Sequence, residues 1–156
     1  MHRNMKAFLD MIAYSELGGA LMDLSDDGYN VIVGSTPAVP LLFTSYADHP
    51  RRRITVKKGL VSSAAGRYQI LARYYDYYKE VLKLPDFSPA SQDAIALHLI
   101  KECRAIEDIE AGRFSEAVKK CRGRWASLPD AGYGQHENKF DSLAKAYVLA
   151  GGVISA

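Results

Sequence analysis

NMKAFLDMIAYSELGG, residues 4–19, decides how the rest of the chain is read. Counting from Met5, the apolar residues Met5, Phe8, Leu9, Ile12 and Ala13 recur at i, i+3, i+4, i+7 and i+8, the spacing of one face of a helix. Glu16 and Leu17 are the next two places on that stripe, whereas Lys6 and Asp10 fall off it. The stripe therefore carries a carboxyl group inward, just before the Gly18-Gly19 stop signal. Burial and the negative end of the helix dipole both disfavour the charged form, so the pKa of Glu16 is expected above that of an exposed glutamate. Such a group suits general acid catalysis, and a core-edge glutamate paired with an arginine has the same sequence pattern.

Outward from this helix, residues 18–28 (GGALMDLSDDG) read as an irregular loop, and YNVIVG as a strand ended by glycine. The proline-marked turn STPAVP leads to LLFTSY, a candidate return strand, and ADHPRRRITV leads out through another turn. From Ser62 a helical stripe runs through Leu71, Tyr74, Tyr75, Tyr78, Val81 and Leu82 and stops at Leu84-Pro85. Ser88 as N-cap and Pro89 at the first helical position open a helix apolar on several sides, the candidate central helix. Short helices around AIEDIEAG and FSEAVKKCR and a last one, NKFDSLAKAYVLAGG, stopped at Gly151, complete the count. Six helices around a two- or three-stranded sheet make an α+β arrangement with two lobes and room for a cleft.

The 156 residues suit a single domain, 1–156, that buries about two thirds of its unfolded surface. At 48% hydrophobic and 24% charged residues, the composition is that of a folded globular chain rather than a disordered one. Net charge is +2, weaker than in a dedicated nucleic-acid binder; the densest basic run is Arg51, Arg52, Arg53, Lys57 and Lys58, a solvated loop or a contact for an acidic polymer. Cys103 and Cys121 have no CxxC pairing and no nearby histidine, which argues for reduced fillers rather than a metal site or disulfide. Met1–Lys6 does not resemble a signal peptide, and no span of about twenty apolar residues occurs, so a soluble protein made in the cytosol is expected.

Several residues suit a polar ligand. The small-residue loop SAAGRYQ precedes a helix start, where Ser63, Gly66 and free backbone N–H groups would face a ligand; lacking Lys-Ser/Thr after the glycine, it is no nucleotide-binding loop. Gln69, placed in the first turn of that helix, both donates and accepts, as sugar hydroxyls and acetamido groups require. Tyr74, Tyr75 and Tyr78 read as core, Tyr68 and Tyr77 as freer. His49, in ADHP, is either a ligand contact or an ordinary turn histidine. The four histidines lack zinc spacing, and no G-x-S-x-G elbow occurs. AGYGQ presents Tyr133 and Gln135 or is a plain interhelix loop.

FLDMIAYSE, GYNVIVG, F-T-x-Y-x-DHPR, AGRYQIL, LPDFSPASQDAIAL and WASLPDAGYGQ, in this order over nearly the whole chain, closely resemble the lambda-type endolysins. That resemblance implies a lysozyme-like fold and a cofactor-free lytic transglycosylase that cleaves the MurNAc-GlcNAc β-1,4 bond of peptidoglycan. It implies that Glu16 is the catalytic carboxyl group and that Ser15, Tyr29, Asn30, Tyr46, His49, Ser63, Gly66, Tyr68, Gln69, Tyr133 and Gln135 are candidates for substrate contact. The chain departs from the family pattern at Leu17, where a glycine follows the Ser-Glu pair, at Asn30 in place of an aspartate, and in STPAVPL, which has the look of an insertion.

The route implied is a monomer that gathers in the host cytoplasm, with a holin opening the way to the wall and no metal, nucleic acid or stable membrane partner. Three rivals remain at this stage: a hydrolytic lysozyme in which Asp26, Asp27 or Asp48 assists a water, a wall-binding module without catalysis, and a nucleic-acid binder resting on the basic run.

Overall fold

A computed structural model of the chain describes residues 1–129 and 137–155. Its elements are α1 (Arg3–Leu17), α2 (Gly19–Asp23), β1 (Ile54–Lys57), β2 (Leu60–Ser62), α3 (Ala72–Leu82), α4 (Pro89–Glu102), α5 (Ile106–Glu110), α6 (Phe114–Cys121) and α7 (Glu137–Leu149). The mixed, mostly helical class agrees with the sequence reading. The chain divides into two compact units, one made of Met1–Glu16 with Leu97–Ala156, the other of Leu17–Ala96.

The first unit is built on α1. Met5, Phe8, Leu9, Ile12 and Ala13 are buried as the stripe requires, joined by Ala7 and Met11, which widen the buried face. Lys6 and Asp10 stand outside it and pair at 3.2 Å. The ring of Phe8 meets Phe114 edge-on at 6.1 Å, and Phe114 meets Tyr147 of α7 at 4.6 Å, which ties three helices to one aromatic centre. Buried Asn4 donates through Nδ2 to the carbonyl of Ile109 and accepts from the N–H of Val153. Helix α1 stops where Gly18 takes φ +79°, a conformation that a side chain at Cβ disfavours.

In the second unit the sheet lies elsewhere than expected. YNVIVG and LLFTSY are linked through a single bridge, Val31 to Leu42, because the N–H of Ser35 turns back onto the carbonyl of Ile32 and interrupts the first run. Two prolines, Pro37 and Pro40, keep the intervening loop out of any ladder. The ladder is instead β1 with β2, antiparallel, with Ile54 opposite Ser62 and Thr55 opposite Val61. Its first strand takes in ITV, the end of the segment ADHPRRRITV that the sequence reads as leading out through a turn.

Two helical boundaries also differ. GALMD, expected as loop, forms α2, held by the buried side chain of Leu21. Helix α3 begins ten residues after Ser62, because residues 65–70 close a tight loop in which Ala65 and Ile70 exchange both backbone hydrogen bonds. Of the stripe on α3, Tyr75 and Tyr78 are buried while Tyr74 and Val81 are exposed. Helix α4 starts as expected, with Ser88 Oγ accepting the N–H of Ser91, and buries Ser91, Gln92, Ile95, Ala96, Leu99 and Ile100. No helix of the described residues is long and apolar enough to cross a membrane.

Candidate active site

The last turn of α1 delivers Glu16 half-buried. Its neighbour Ser15 donates from Oγ to Ser127 Oγ at 2.9 Å, and the Ser127 hydroxyl also hydrogen-bonds the Glu16 carboxyl group. Burial pushes the pKa of Glu16 up to about 7; the Ser127 hydrogen bond and the positive charge of Lys139 on α7 offset part of that rise. Among the described residues no arginine pairs with Glu16. A carboxyl group with this pKa is present in both protonation states near neutrality, so it can donate a proton in one step and remove one in the next.

In the second unit the chain Gly66-Arg67-Tyr68-Gln69 forms the turn inside the tight loop. Gly66 has φ +82°, and a Cβ there would lie 2.3 Å from Gln92 Oε1, so only glycine fits. Gln92, wholly buried, accepts the N–H of Arg67 at 3.0 Å and donates to the carbonyls of Tyr29 and Phe87 at 3.0 and 2.9 Å. Its amide thereby fixes the turn against two other segments. Asp93 accepts from the phenols of Tyr68 at 2.6 Å and Tyr29 at 2.9 Å. Buried Arg67 donates to the carbonyl of Asp27 and to Tyr68 Oη, and its guanidinium stacks over the Tyr29 ring at 5.3 Å.

This arrangement corrects three expectations. The backbone N–H groups of the loop are not free for a ligand: those of Ala64, Ala65, Gly66 and Arg67 go to Ser62, Ile70, Val31 and Gln92. Tyr68 is buried, because its ring packs edge-on to Tyr29 and its phenol is committed to Asp93. Gln69 precedes α3 rather than opening it; with φ +51° it folds its amide back to donate to the carbonyl of Gly66 at 2.8 Å, and its Oε1 has no donor among the described residues.

His49 is also interior. Its Nε2 donates to the carbonyl of Ile70 at 2.8 Å, its Nδ1 accepts the N–H of Arg51 at 2.9 Å, and Phe87 packs on the ring at 4.8 Å. Burial lowers its pKa, so the ring is a neutral strut rather than a ligand contact. Ser63 Oγ accepts the N–H of Ala72 and so anchors the start of α3. Asn30 accepts the N–H of Asp26 at 2.9 Å, and Tyr46 donates to the Asp26 carboxylate at 2.5 Å, which brings these two candidates to one loop. Tyr133 and Gln135 lie outside the described residues.

The three aspartates considered as water-assisting groups are engaged within the second unit. Asp26 takes the phenol of Tyr46, Asp27 faces Arg67 at 3.6 Å, and Asp48 is clamped by Arg51 at 2.8 and 3.2 Å. Among the described residues no group of three metal-binding side chains comes together. Sequence reasoning missed Ser127, Arg67, Gln92 and Asp93. Only the last two left a trace, as polar residues beside Ser91 in the first half of a helix otherwise apolar on several sides.

The Endolysin family model matches residues 6–154. The chain is 49% identical to the endolysin of Escherichia phage lambda over 150 residues, covering 96% of this chain and 92% of that protein. It is 46% identical to the endolysin of Escherichia phage P2 over 158 residues, with 97% and 95% covered. Among solved structures, the lysozyme from bacteriophage lambda superposes with a TM-score of 0.89 at 46% identity, over 99% of this chain and 98% of that one. The same lysozyme complexed with a chitohexasaccharide gives 0.86 at 47% identity, again over 99% and 98%.

Proposed function

The chain belongs to the Endolysin family, and from that premise we propose that it is a lytic transglycosylase of peptidoglycan with Glu16 as its one catalytic carboxyl group. The observation that carries this reading is the state of Glu16, held near pKa 7 by burial with a serine hydroxyl at its carboxylate. In the first step protonated Glu16 gives its proton to the glycosidic oxygen as the C1–O4 bond breaks, while the N-acetyl carbonyl of MurNAc attacks C1. In the second, the Glu16 carboxylate removes the proton of the C6 hydroxyl, and O6 displaces that carbonyl to close the 1,6-anhydro ring. Glu16 ends protonated, and no water enters.

One further fact supports one carboxyl group over two. Asp26, Asp27 and Asp48, the rivals for a second role, each have a partner already. The bound chitohexasaccharide belongs to the relative, and we carry it to this chain as affinity for β-1,4-linked N-acetylhexosamine strands. Substrate contacts are assigned by the same proposal to Gln69, Asn30 and Tyr46, with Tyr29, Tyr68, Gly66, His49 and Ser63 holding the loops that carry them. The working form is a monomer released from the host cytoplasm to the wall through a holin lesion.

Mass spectrometry of digested murein tests the chemistry. Transglycosylation yields muropeptides lighter by one water than those of hydrolysis, and reducing ends alone would overturn the proposal in favour of a muramidase. Retention of Glu16→Gln on murein with loss of lysis separates an enzyme from a wall-binding module.

A further inference from the structure

The basic run that the catalytic reading leaves unused borders a groove of about 870 Å³ in the second unit. Val33, Val56, Leu60 and Leu71 supply an aliphatic lining, with Arg53 ahead of β1 and Arg73 on the first turn of α3 among its walls. The apolar residues are open to solvent: Val56 is 40% and Leu60 45% exposed. Arg51, also at the groove, is spent, since it holds Asp48 and Asp76 at once. Arg53 and Arg73 have no carboxylate partner among the described residues; Arg73 only lies 5.0 Å from the ring of Tyr74.

Aliphatic lining between uncompensated guanidinium groups selects a ligand with small apolar side chains and carboxylates. No aromatic ring lines the groove to stack a base, which disfavours a single-stranded nucleic acid. The stem peptides that hang from the muramic sugars of peptidoglycan are short, alanine-bearing and anionic. We infer that this groove holds such an acidic stem peptide, its carboxylates on Arg53 and Arg73, and the inference rests on peptidoglycan being the substrate. It makes specificity partly a matter of the peptide, whereas the chemistry at Glu16 acts on the sugar.

The test needs no catalysis. The soluble tetrapeptide L-Ala-γ-D-Glu-meso-diaminopimelate-D-Ala is titrated into the full-length protein by calorimetry. Saturable binding is expected, weakened about tenfold or more in Arg53→Glu/Arg73→Glu and by raised salt, and largely kept in Arg53→Lys/Arg73→Lys. Both side chains are on the surface, and circular dichroism checks that each variant is folded. No saturable binding at millimolar peptide, equal binding by the charge-reversed variant, or retention of a DNA strand in place of the peptide would each overturn the inference.

A second readout compares cleavage of intact murein strands with strands stripped of stems by an amidase. The preference for intact strands is expected to collapse in the charge-reversed variant; an equal loss on both substrates counts against the groove. Should the products prove hydrolytic, the assignment of transglycosylation fails while the peptide titration stands or falls on its own.

Discussion

Two carboxyl groups in the first unit are drawn wholly or partly out of water and treated in opposite ways. Asp108, in the first turn of α5, is buried and is met by the guanidinium of Arg113 at 2.7 Å and by the ammonium of Lys120, which hold it well below the ordinary carboxylate range. Glu16, at the far end of α1, has a hydroxyl and a lysine charge that only partly offset its burial, and it rises to about 7. The unit places two cations on Asp108 and leaves Glu16 able to change protonation state. Burial alone would push both groups up, so the pairing is what distinguishes a structural carboxylate from one that can work.

The largest effect expected from this contrast is the loss of activity in Glu16→Gln, by about 10²–10⁴-fold or more, since an amide neither donates an acidic proton nor removes one. Clearing of a murein suspension measures it. Asp108→Asn provides the matching control and should retain turnover at temperatures where it stays folded. If the two variants lost activity equally while both were folded, the distinction would collapse.

The same substitution at Glu16 should raise stability. The native state binds the Glu16 proton more tightly than the unfolded chain, so stability conferred by protonation is complete below the ordinary value of 4.5 and lost as pH rises through about 7. The interval corresponds to a penalty of order 3 kcal/mol at pH 8. Glu16→Gln removes it, so its Tm should exceed that of the parent at pH 8 and converge with it near pH 4.5. Thermal unfolding followed by circular dichroism at the two pH values reads the difference; a uniform gain would mean that the effect has nothing to do with ionisation.

Asp108→Asn should act in the other direction and by less, about 1–2 kcal/mol, because Arg113 and Lys120 keep much of their exposure and solvent screens what they lose. Its depressed pKa contributes stability above the unfolded value, lost as pH falls through the folded one. The destabilisation is therefore full at pH 7 and fades in acid, the mirror image of Glu16.

How much of this was readable beforehand depends on which interaction carries the information. The face of α1 and the inward position of Glu16 follow from apolar spacing, and the start of α4 follows from Ser88-Pro89, because both are local rules. The loop network is not local: Arg67 meets Gln92 and Tyr68 meets Asp93 across 25 positions. Apolar periodicity assigns Gln92 and Asp93 to solvent, whereas the structure buries Gln92 for its hydrogen bonds. The sheet was misplaced for a related reason. YNVIVG has strand composition, but Val31 and Ile32 are buried as single bridges, while the true ladder, ITVK with LVS, is short and mostly exposed and has no alternation of buried and exposed positions to announce it.

The smallest effect isolates the offset itself. In Ser127→Ala the Glu16 carboxylate loses the hydrogen bond that favours its charged form, and with burial unchanged its pKa should climb further. A general acid must be protonated, so kcat/KM falls as pH rises through this pKa, and the basic limb of the profile should move to higher pH in the variant. Lys139→Met removes the second of the two offsets and should shift the limb in the same direction by less. A basic limb that stayed put in both variants would assign it to another group, and the contrast between Glu16 and Asp108 would then describe folding alone.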